Sequence, residues 1–174
     1  DAIFTGDAGE YTLQWTVNGC DSTTTVNLTT CPTIDFDGTN DHISFKKNYG
    51  FENGPFIIEV WIRSELNSSN VQTIFSKRDA NNLNTGYDLR LQNRTISFNW
   101  NNGGKIQSSF GLNPPSSTKK RWYHVAVTFD GSNYRLYIDG IEVSSAVPGG
   151  NPSSNNLDCL LGAMNQTSSP PNKP

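Results

Sequence analysis

The densest run of metal-ligating side chains in this 174-residue chain is DFDGTND, at positions 35–41. Asp35, Asp37, Asn40 and Asp41 crowd around Gly38, a residue that lets the backbone curve tightly. Calcium takes six to eight oxygens, many of them from carbonyls and from Asp or Asn side chains. Asp37, Asn40 and Asp41 are therefore the candidate metal ligands, and calcium is the candidate ion. The same residues also turn a chain with no ion present, since Asp-Gly and Asn-Asp pairs are turn formers. Zinc is a poor fit, because the only histidines are His42 and His124 and no Cys-x-x-Cys pair occurs. Serine chemistry lacks its parts too, with no Gly-x-Ser-x-Gly elbow in the chain.

Ligand recognition has more to work with. Tyr87 and Arg90 come from one predicted strand, and Asn99, Trp100 and Asn101 from the next, with Lys77 and Arg78 ending IFSKRD. A tryptophan ring covers the apolar face of a pyranose, and neighbouring amides bind its hydroxyls. Tyr87, Arg90, Asn99, Trp100 and Asn101 are accordingly the candidate carbohydrate site. The competing reading buries Trp100, since aromatic residues dominate cores.

Strands must position these groups. RWYHVAVTFDGSNYRLYIDG, residues 121–140, sets Tyr123, Val125, Val127 and Phe129 against Trp122, His124, Ala126 and Thr128. It turns at Asp130–Asn133, returns through Tyr134, Leu136 and Ile138, and reaches Asp139-Gly140, a type I′ hairpin signal. This is a β-meander. FIIEVWIRS alternates with apolar residues on both faces, so it is expected to be covered on both sides. VQTIFSK, GYDLRLQ and TISFNW read as strands between Asn-rich turns, KIQSSF as a weaker one, and LDCLLGAM as the last. TIDFDGTNDHISF reads as two short strands around a turn. Upstream, Tyr11, Leu13, Trp15 and Val17 share a face, and STTTVNLTT returns after a turn at Asn18, Gly19 and Asp21, giving a hairpin. No helix of useful length is predicted.

The totals agree with an all-β chain. It is 34% hydrophobic and 17% charged, with net charge −3, which leaves no electrostatic footprint for nucleic acid. No apolar run is long enough for a membrane-spanning helix. The N-terminus lacks the charged-then-apolar layout of a signal peptide. Cys20, Cys31 and Cys159 leave one thiol over if all bonds are internal, and a Cys20–Cys31 bridge is one option among others.

Two resemblances refine this. Asp7-x-Gly9-x-Tyr11-x-Leu13 resembles the tyrosine corner of immunoglobulin-like sandwiches, with Leu13 where antibody domains carry cysteine. It implies that residues 1–31 are the last two strands of an immunoglobulin-like domain that begins upstream, since two strands cannot bury a core. From residue 33 to 163, IDFDGTNDHISF, FIIEVWIRS, IFSK, the WYHVAVTFDG…LYIDG block and LLGA resemble, in order and spacing, the laminin-G-like branch of the concanavalin A-like superfamily. The implied fold is an antiparallel jelly-roll β-sandwich over residues 32–174, with Cys31-Pro32 as the boundary. The family normally closes with a further strand after the LGA segment; here the sequence continues as SSPPNKP, so that strand is expected to be missing. Related folds hold a structural calcium near the first strand, which adds to the case for the DFDGTND turn.

Some members of the superfamily hydrolyse glycosidic bonds with two carboxylates placed across the scissile bond, usually as Glu-x-Asp-x-x-Glu on one strand. Here Glu59 stands alone in its strand and Asp88 lies between Tyr87 and Leu89, so no catalysis is expected. A lone carboxylate of this kind suits a sugar hydroxyl. The Thr/Asn-rich pairing of two such modules resembles Bacteroidota surface proteins, including gliding adhesins and type IX secretion cargo. Asp21-Ser22-Thr23 suits the short O-glycosylation motif of that phylum, and Asn-x-Ser/Thr sequons occur at Asn27, Asn67, Asn93 and Asn165. The expectation is a non-catalytic extracellular module of a large bacterial surface protein. Its expected partners are a glycan or surface polysaccharide and adjacent domains of the same chain, with no nucleic acid and no membrane insertion. The alternatives are a spacer, a protein-binding module, or the targeting module of a secreted polysaccharide-degrading enzyme.

Overall fold

A computed structural model describes residues 9–17, 20–28, 33–64, 69–112, 121–146 and 150–166. The chain divides into two compact units, residues 1–35 and 36–174. The sequence-based boundary at Cys31-Pro32 lies outside the described residues, as does Asp7 of the tyrosine-corner motif.

The first unit contributes a hairpin of β1 (Gly9–Val17) and β2 (Cys20–Leu28). They pair antiparallel from Gly9↔Leu28 to Val17↔Cys20. Tyr11 and Leu13 are half-buried while Thr12 and Gln14 are exposed, the alternation read from the sequence. Asp21 belongs to β2, opposite Thr16, rather than to the turn.

The second unit is a sandwich of two antiparallel sheets. One has the order β11-β10-β9-β4, from β4 (Phe56–Ile62), β9 (Tyr123–Phe129), β10 (Tyr134–Ile138) and β11 (Ile141–Ala146). The other has the order β3-β12-β5-β6-β7-β8. Its members are β3 (Ile43–Ser44), β5 (Gln72–Asp79), β6 (Asn82–Gln92), β7 (Thr95–Trp100), β8 (Gly104–Gln107) and β12 (Leu160–Leu161). The meander expected from residues 121–140 forms as β9–β10–β11. Asp139 and Gly140 both have positive φ, 52° and 78°, between the paired Ile138 and Ile141, as a type I′ turn demands. Of the two strands expected in TIDFDGTNDHISF only Ile43–Ser44 forms, and Ile34 is exposed.

Inward-facing positions of both sheets form one core, as period-two alternation requires. Phe98, Trp100, Phe129 and Tyr134 lie at its centre, with Trp100 stacked on Tyr134 at 4.0 Å and Phe129 on Tyr134 at 4.4 Å. Burial pushes the Tyr134 phenol well above its ordinary range. Lys77 closes one end of the core: its ammonium donates to the carbonyls of Lys47 (2.9 Å), Asn48 (3.2 Å) and Leu157 (2.8 Å). Desolvation lowers its pKa. Gly86, at φ 75°, lets β6 pass the same junction; a Cβ there would fall 2.0 Å from the Lys77 carbonyl oxygen.

The strand expected to be covered on both sides is covered on one. Phe56 and Ile58 of β4 are buried, whereas Ile57 is 66% and Trp61 63% exposed. Apolar residues on both faces therefore mark an inner face that packs and an outer face left open, and that open face is part of the candidate site.

Candidate functional site

The register of the sheets fixes which side chains share an outward face. On the four-stranded sheet Ile57, Thr128 and Arg135 form one cross-strand row, Glu59, Ala126 and Tyr137 the next, and Trp61 lies beside His124. The Trp61 and His124 rings are 5.1 Å apart, tilted by 45°. His124 Nε2 is 3.6 Å from Glu59 Oε2. One step along, the Arg63 guanidinium lies over the Trp122 ring, 5.3 Å from its centroid. Asp139 ties the end of this face together: it pairs with Arg121 and accepts the His124 backbone N–H at 3.0 Å. An open indole is thus flanked by an imidazole, a carboxylate and a guanidinium. Such a set can stack on an apolar ring face while donating to and accepting from hydroxyls.

The outward face of the six-stranded sheet is charged instead. Ser76, Asp88, Asn99 and Lys105 form one cross-strand row, and Thr73, Arg90, Ser97 and Gln107 the next. Asp88 is fully buried and accepts from Arg78 Nη1 (2.8 Å) and Asn99 Nδ2 (2.8 Å). Arg78 also donates to the Leu83 and Asn101 carbonyls. Arg90 Nε lies 3.5 Å from Asp88 Oδ2.

These registers split the carbohydrate residues expected from sequence. Arg90 and Asn99 come together on the charged face. Tyr87 and Trp100 point the other way, into the core, where they are 0% and 4% exposed. Neither ring offers a sugar platform, because alternation along β6 and β7 puts Tyr87 and Trp100 on the side opposite Arg90 and Asn99. The Tyr87 hydroxyl donates to the Tyr49 carbonyl at 2.7 Å, and burial raises its pKa far above the ordinary range. Asn101 sits in the turn after β7, donating to the Asn151 carbonyl (3.0 Å) and accepting from the Ser153 N–H (2.6 Å); it is a loop clamp. Trp61 is instead a ring that the fold leaves exposed. Its signal was in the sequence: it shares a face with Glu59, and a carboxylate sits uneasily on a face meant to be buried.

The DFDGTND residues form a hydrogen-bonded turn. Asp37 Oδ1 accepts the Thr39 N–H at 2.7 Å, Asp41 Oδ2 accepts the Asp37 N–H at 3.1 Å, and the Asn40 carbonyl lies 3.3 Å from His42 Nδ1. Among the described residues no three His, Cys, Asp or Glu side chains gather as a metal group. Two carboxylates already committed to backbone N–H groups fall short of a full calcium shell. Cys159 is a buried free thiol, 3.7 Å from the Tyr87 hydroxyl, with its pKa pushed up to about 11 by burial. Cys31 lies outside the described residues.

A two-sheet antiparallel sandwich is the architecture of lectin-type and laminin-G-type modules. Residues 37–172 match a laminin-G-type family model described as the concanavalin A-like lectin/glucanases superfamily. The chain belongs to that superfamily. No curated protein matches the sequence. Solved structures with the same fold include the CBM40 module of the Ruminococcus gnavus IT-sialidase bound to alpha2,6 sialyllactose. It is 12% identical, with TM-score 0.57 over 72% of this chain and 71% of that one. Mouse laminin alpha1 domains LG4-5 are 17% identical, with TM-score 0.55, covering 79% of this chain and 37% of that one. The leech intramolecular trans-sialidase complexed with 2,7-anhydro-Neu5Ac is 14% identical, with TM-score 0.58, covering 77% and 23%. This chain thus spans only a minor part of the last two. At these identities the likeness is one of fold.

Proposed function

We propose that residues 36–174 form a non-catalytic carbohydrate-binding or adhesion module that takes a glycan on the outward face of the four-stranded sheet. The observation that carries this reading is Trp61: an indole 63% exposed, with His124 and Glu59 within reach of whatever stacks on it. Glu59 supplies one carboxylate where glycoside hydrolysis needs two facing the scissile bond, which favours binding over turnover. The similar architecture of a sialidase-attached carbohydrate-binding module supports the reading at the level of fold.

In this reading the module works outside the cell, on the surface of a bacterium. The hairpin β1–β2 is the end of an immunoglobulin-like domain in a longer chain. A protein-binding role is the second reading, favoured by Ile57, whose aliphatic side chain suits a protein partner better than a sugar. Calcium at Asp37, Asn40 and Asp41 is kept as a separate proposal.

A glycan array probed with the wild-type chain and with Trp61→Ala, each with and without a chelator, tests all three. Glycan binding lost in Trp61→Ala supports the site. Binding that also disappears on chelation adds calcium to it. Binding indifferent to Trp61 overturns the site, and no glycan binding under any condition moves the function to a protein partner or a spacer.

A further inference from the structure

We propose that the outward face of the six-stranded sheet is a second recognition site, which takes the carboxylate of an acidic sugar such as a uronic acid on Arg90. The proposal rests on the glycan reading for its ligand class but not on Trp61.

Charge on this face is unbalanced. Arg78, Arg90 and Lys105 share it with Asp88, in a chain whose net charge is −3. The surplus is local and set against the overall balance, a pattern that draws an anion to one place. The two arginines are not equivalent. Arg78 is 4% exposed and spends its terminal nitrogens on Asp88 and on the carbonyls of Leu83 and Asn101. It is a strut that holds Asp88. Arg90, cross-strand from Thr73 and Ser97, has Asp88 as its one ion-pair partner among the described residues: its Nε lies 3.5 Å from Oδ2 and makes no hydrogen bond, although the atom is buried. The oxygen it faces already accepts from Asn99 at 2.8 Å.

Asp88 therefore holds the Arg90 guanidinium by charge without saturating it. The side chain is 23% exposed, and with Nε buried that exposure belongs to its outer part. Among the described residues no protein acceptor takes its terminal nitrogens. A free guanidinium edge in a partly desolvated setting matches a carboxylate with two parallel N–H···O bonds. Lys105 and Gln107, exposed beside Asn99 and Ser97 in the same rows, add donors for the hydroxyls of the same ring. A neutral sugar would leave the surplus charge uncompensated.

Arginine Nε–Hε and tryptophan indole N–H signals of the 174-residue chain report the two faces separately by NMR. The chain is titrated with glucuronate, glucose and acetate at equal ionic strength. Glucuronate is expected to shift the Arg90 Nε–Hε and the Asn99 side-chain amide signals, while glucose and acetate leave both in place. Arg90→Lys keeps the charge and loses the fork, and is expected to weaken glucuronate about tenfold or more. Three results overturn the proposal: no glucuronate shift in the wild type, an equal shift with acetate, or unchanged affinity in Arg90→Lys. The wild-type titration decides even if the variant misfolds. If neutral glycans move the Trp61 indole signal but glucuronate leaves Arg90 still, this proposal fails alone. If neither face responds to any sugar, the glycan reading fails with it.

Discussion

Trp61 on β4 and Asp88 on β6 both point away from the core, yet the indole is 63% exposed and the carboxylate fully buried. Burial energetics favour the opposite assignment. An indole left in water forgoes about 1.5–3 kcal/mol of transfer free energy, and a carboxylate taken out of water costs several kcal/mol before pairing returns any of it. The four-stranded sheet leaves an aromatic patch unused. The six-stranded sheet assembles a guanidinium–carboxylate–amide cluster where apolar packing would hold as well. Departures from the most stable arrangement concentrate where a protein binds something, and this sandwich has one on each outward face, of opposite chemistry.

The sharpest test of that contrast sets Trp61 against Trp100. Trp100 stacks on Tyr134 at 4.0 Å in the core. Trp100→Ala should cost about 3–5 kcal/mol of stability. Trp61→Ala should change stability by less than about 0.5 kcal/mol while removing glycan binding. Urea denaturation of both variants, with glycan binding of the second, checks the pair. A large stability loss from Trp61→Ala would mean that its face is packed in the folded protein.

Next comes the charge cluster. Asp88→Ala leaves Arg78 and Arg90 without their shared carboxylate, and breaking such a buried pair costs about 3–5 kcal/mol. Glu59→Ala on the other sheet removes a carboxylate that is 67% exposed and should stay within about 0.5 kcal/mol of wild type. Thermal unfolding distinguishes them. Equal effects would erase the difference between the faces.

A smaller effect concerns chemistry rather than stability. Cys159 lies 0% exposed beside Tyr87, and its thiol is pushed up to about 11 by burial. Thiolate is the reactive form, so iodoacetamide at neutral pH should leave Cys159 unmodified in the native chain and alkylate it fully in urea. Peptide mass spectrometry separates this residue from the other cysteines. Rapid native labelling would show that this end of the sandwich opens readily.

How far the sequence reaches is clear from the same residues. Strand positions were legible because alternation along β9 and β10 and the Asp139-Gly140 turn are local signals. Which face turns inward is not local. In TISFNW either Ile96, Phe98 and Trp100 or Ser97 and Asn99 could face the core, and apolarity rightly gives it to the first set. By that rule Trp100 had to be buried, so choosing it as a platform along with Asn99 placed adjacent residues on one face. In FIIEVWIRS both alternate sets are apolar, so the rule returns no answer, and only packing against the second sheet, which buries Phe56 and Ile58 and leaves Ile57 and Trp61 exposed, reveals an open side. The Arg78–Asp88 pair was out of reach for another reason: it depends on a register between β5 and β6 that shifts at an irregularity past Lys77.

The smallest predicted effect belongs to the four-stranded sheet's own carboxylate–guanidinium pair, the exposed counterpart of the Asp88 cluster. Asp130 accepts the Asn133 N–H (2.7 Å) and the Ser132 N–H (2.8 Å) and pairs with Arg135 at 2.6 Å. The Asn133 backbone bond first, then Arg135 and the Ser132 N–H, hold its carboxyl well below the usual carboxylate range. A folded-state pKa below the unfolded value means that the native state binds fewer protons, so stability falls as pH falls. The contribution is complete above the unfolded pKa, near about 4, and is lost progressively as pH drops toward the folded value. Arg135 stays charged throughout, its own pKa raised by the Asp130 hydrogen bond. Asp130→Asn should therefore be slightly less stable than wild type at pH 7, with the gap narrowing between pH 4 and pH 2 and shrinking in high salt, since water and ions screen an exposed pair. Urea titrations of both proteins at several pH values measure it. A gap that persists unchanged at pH 2 would show that the turn depends on the shape of the aspartate rather than on its charge. A gap as large as that of Asp88→Ala would show that an open pair on this sheet counts for as much as the buried one across the core.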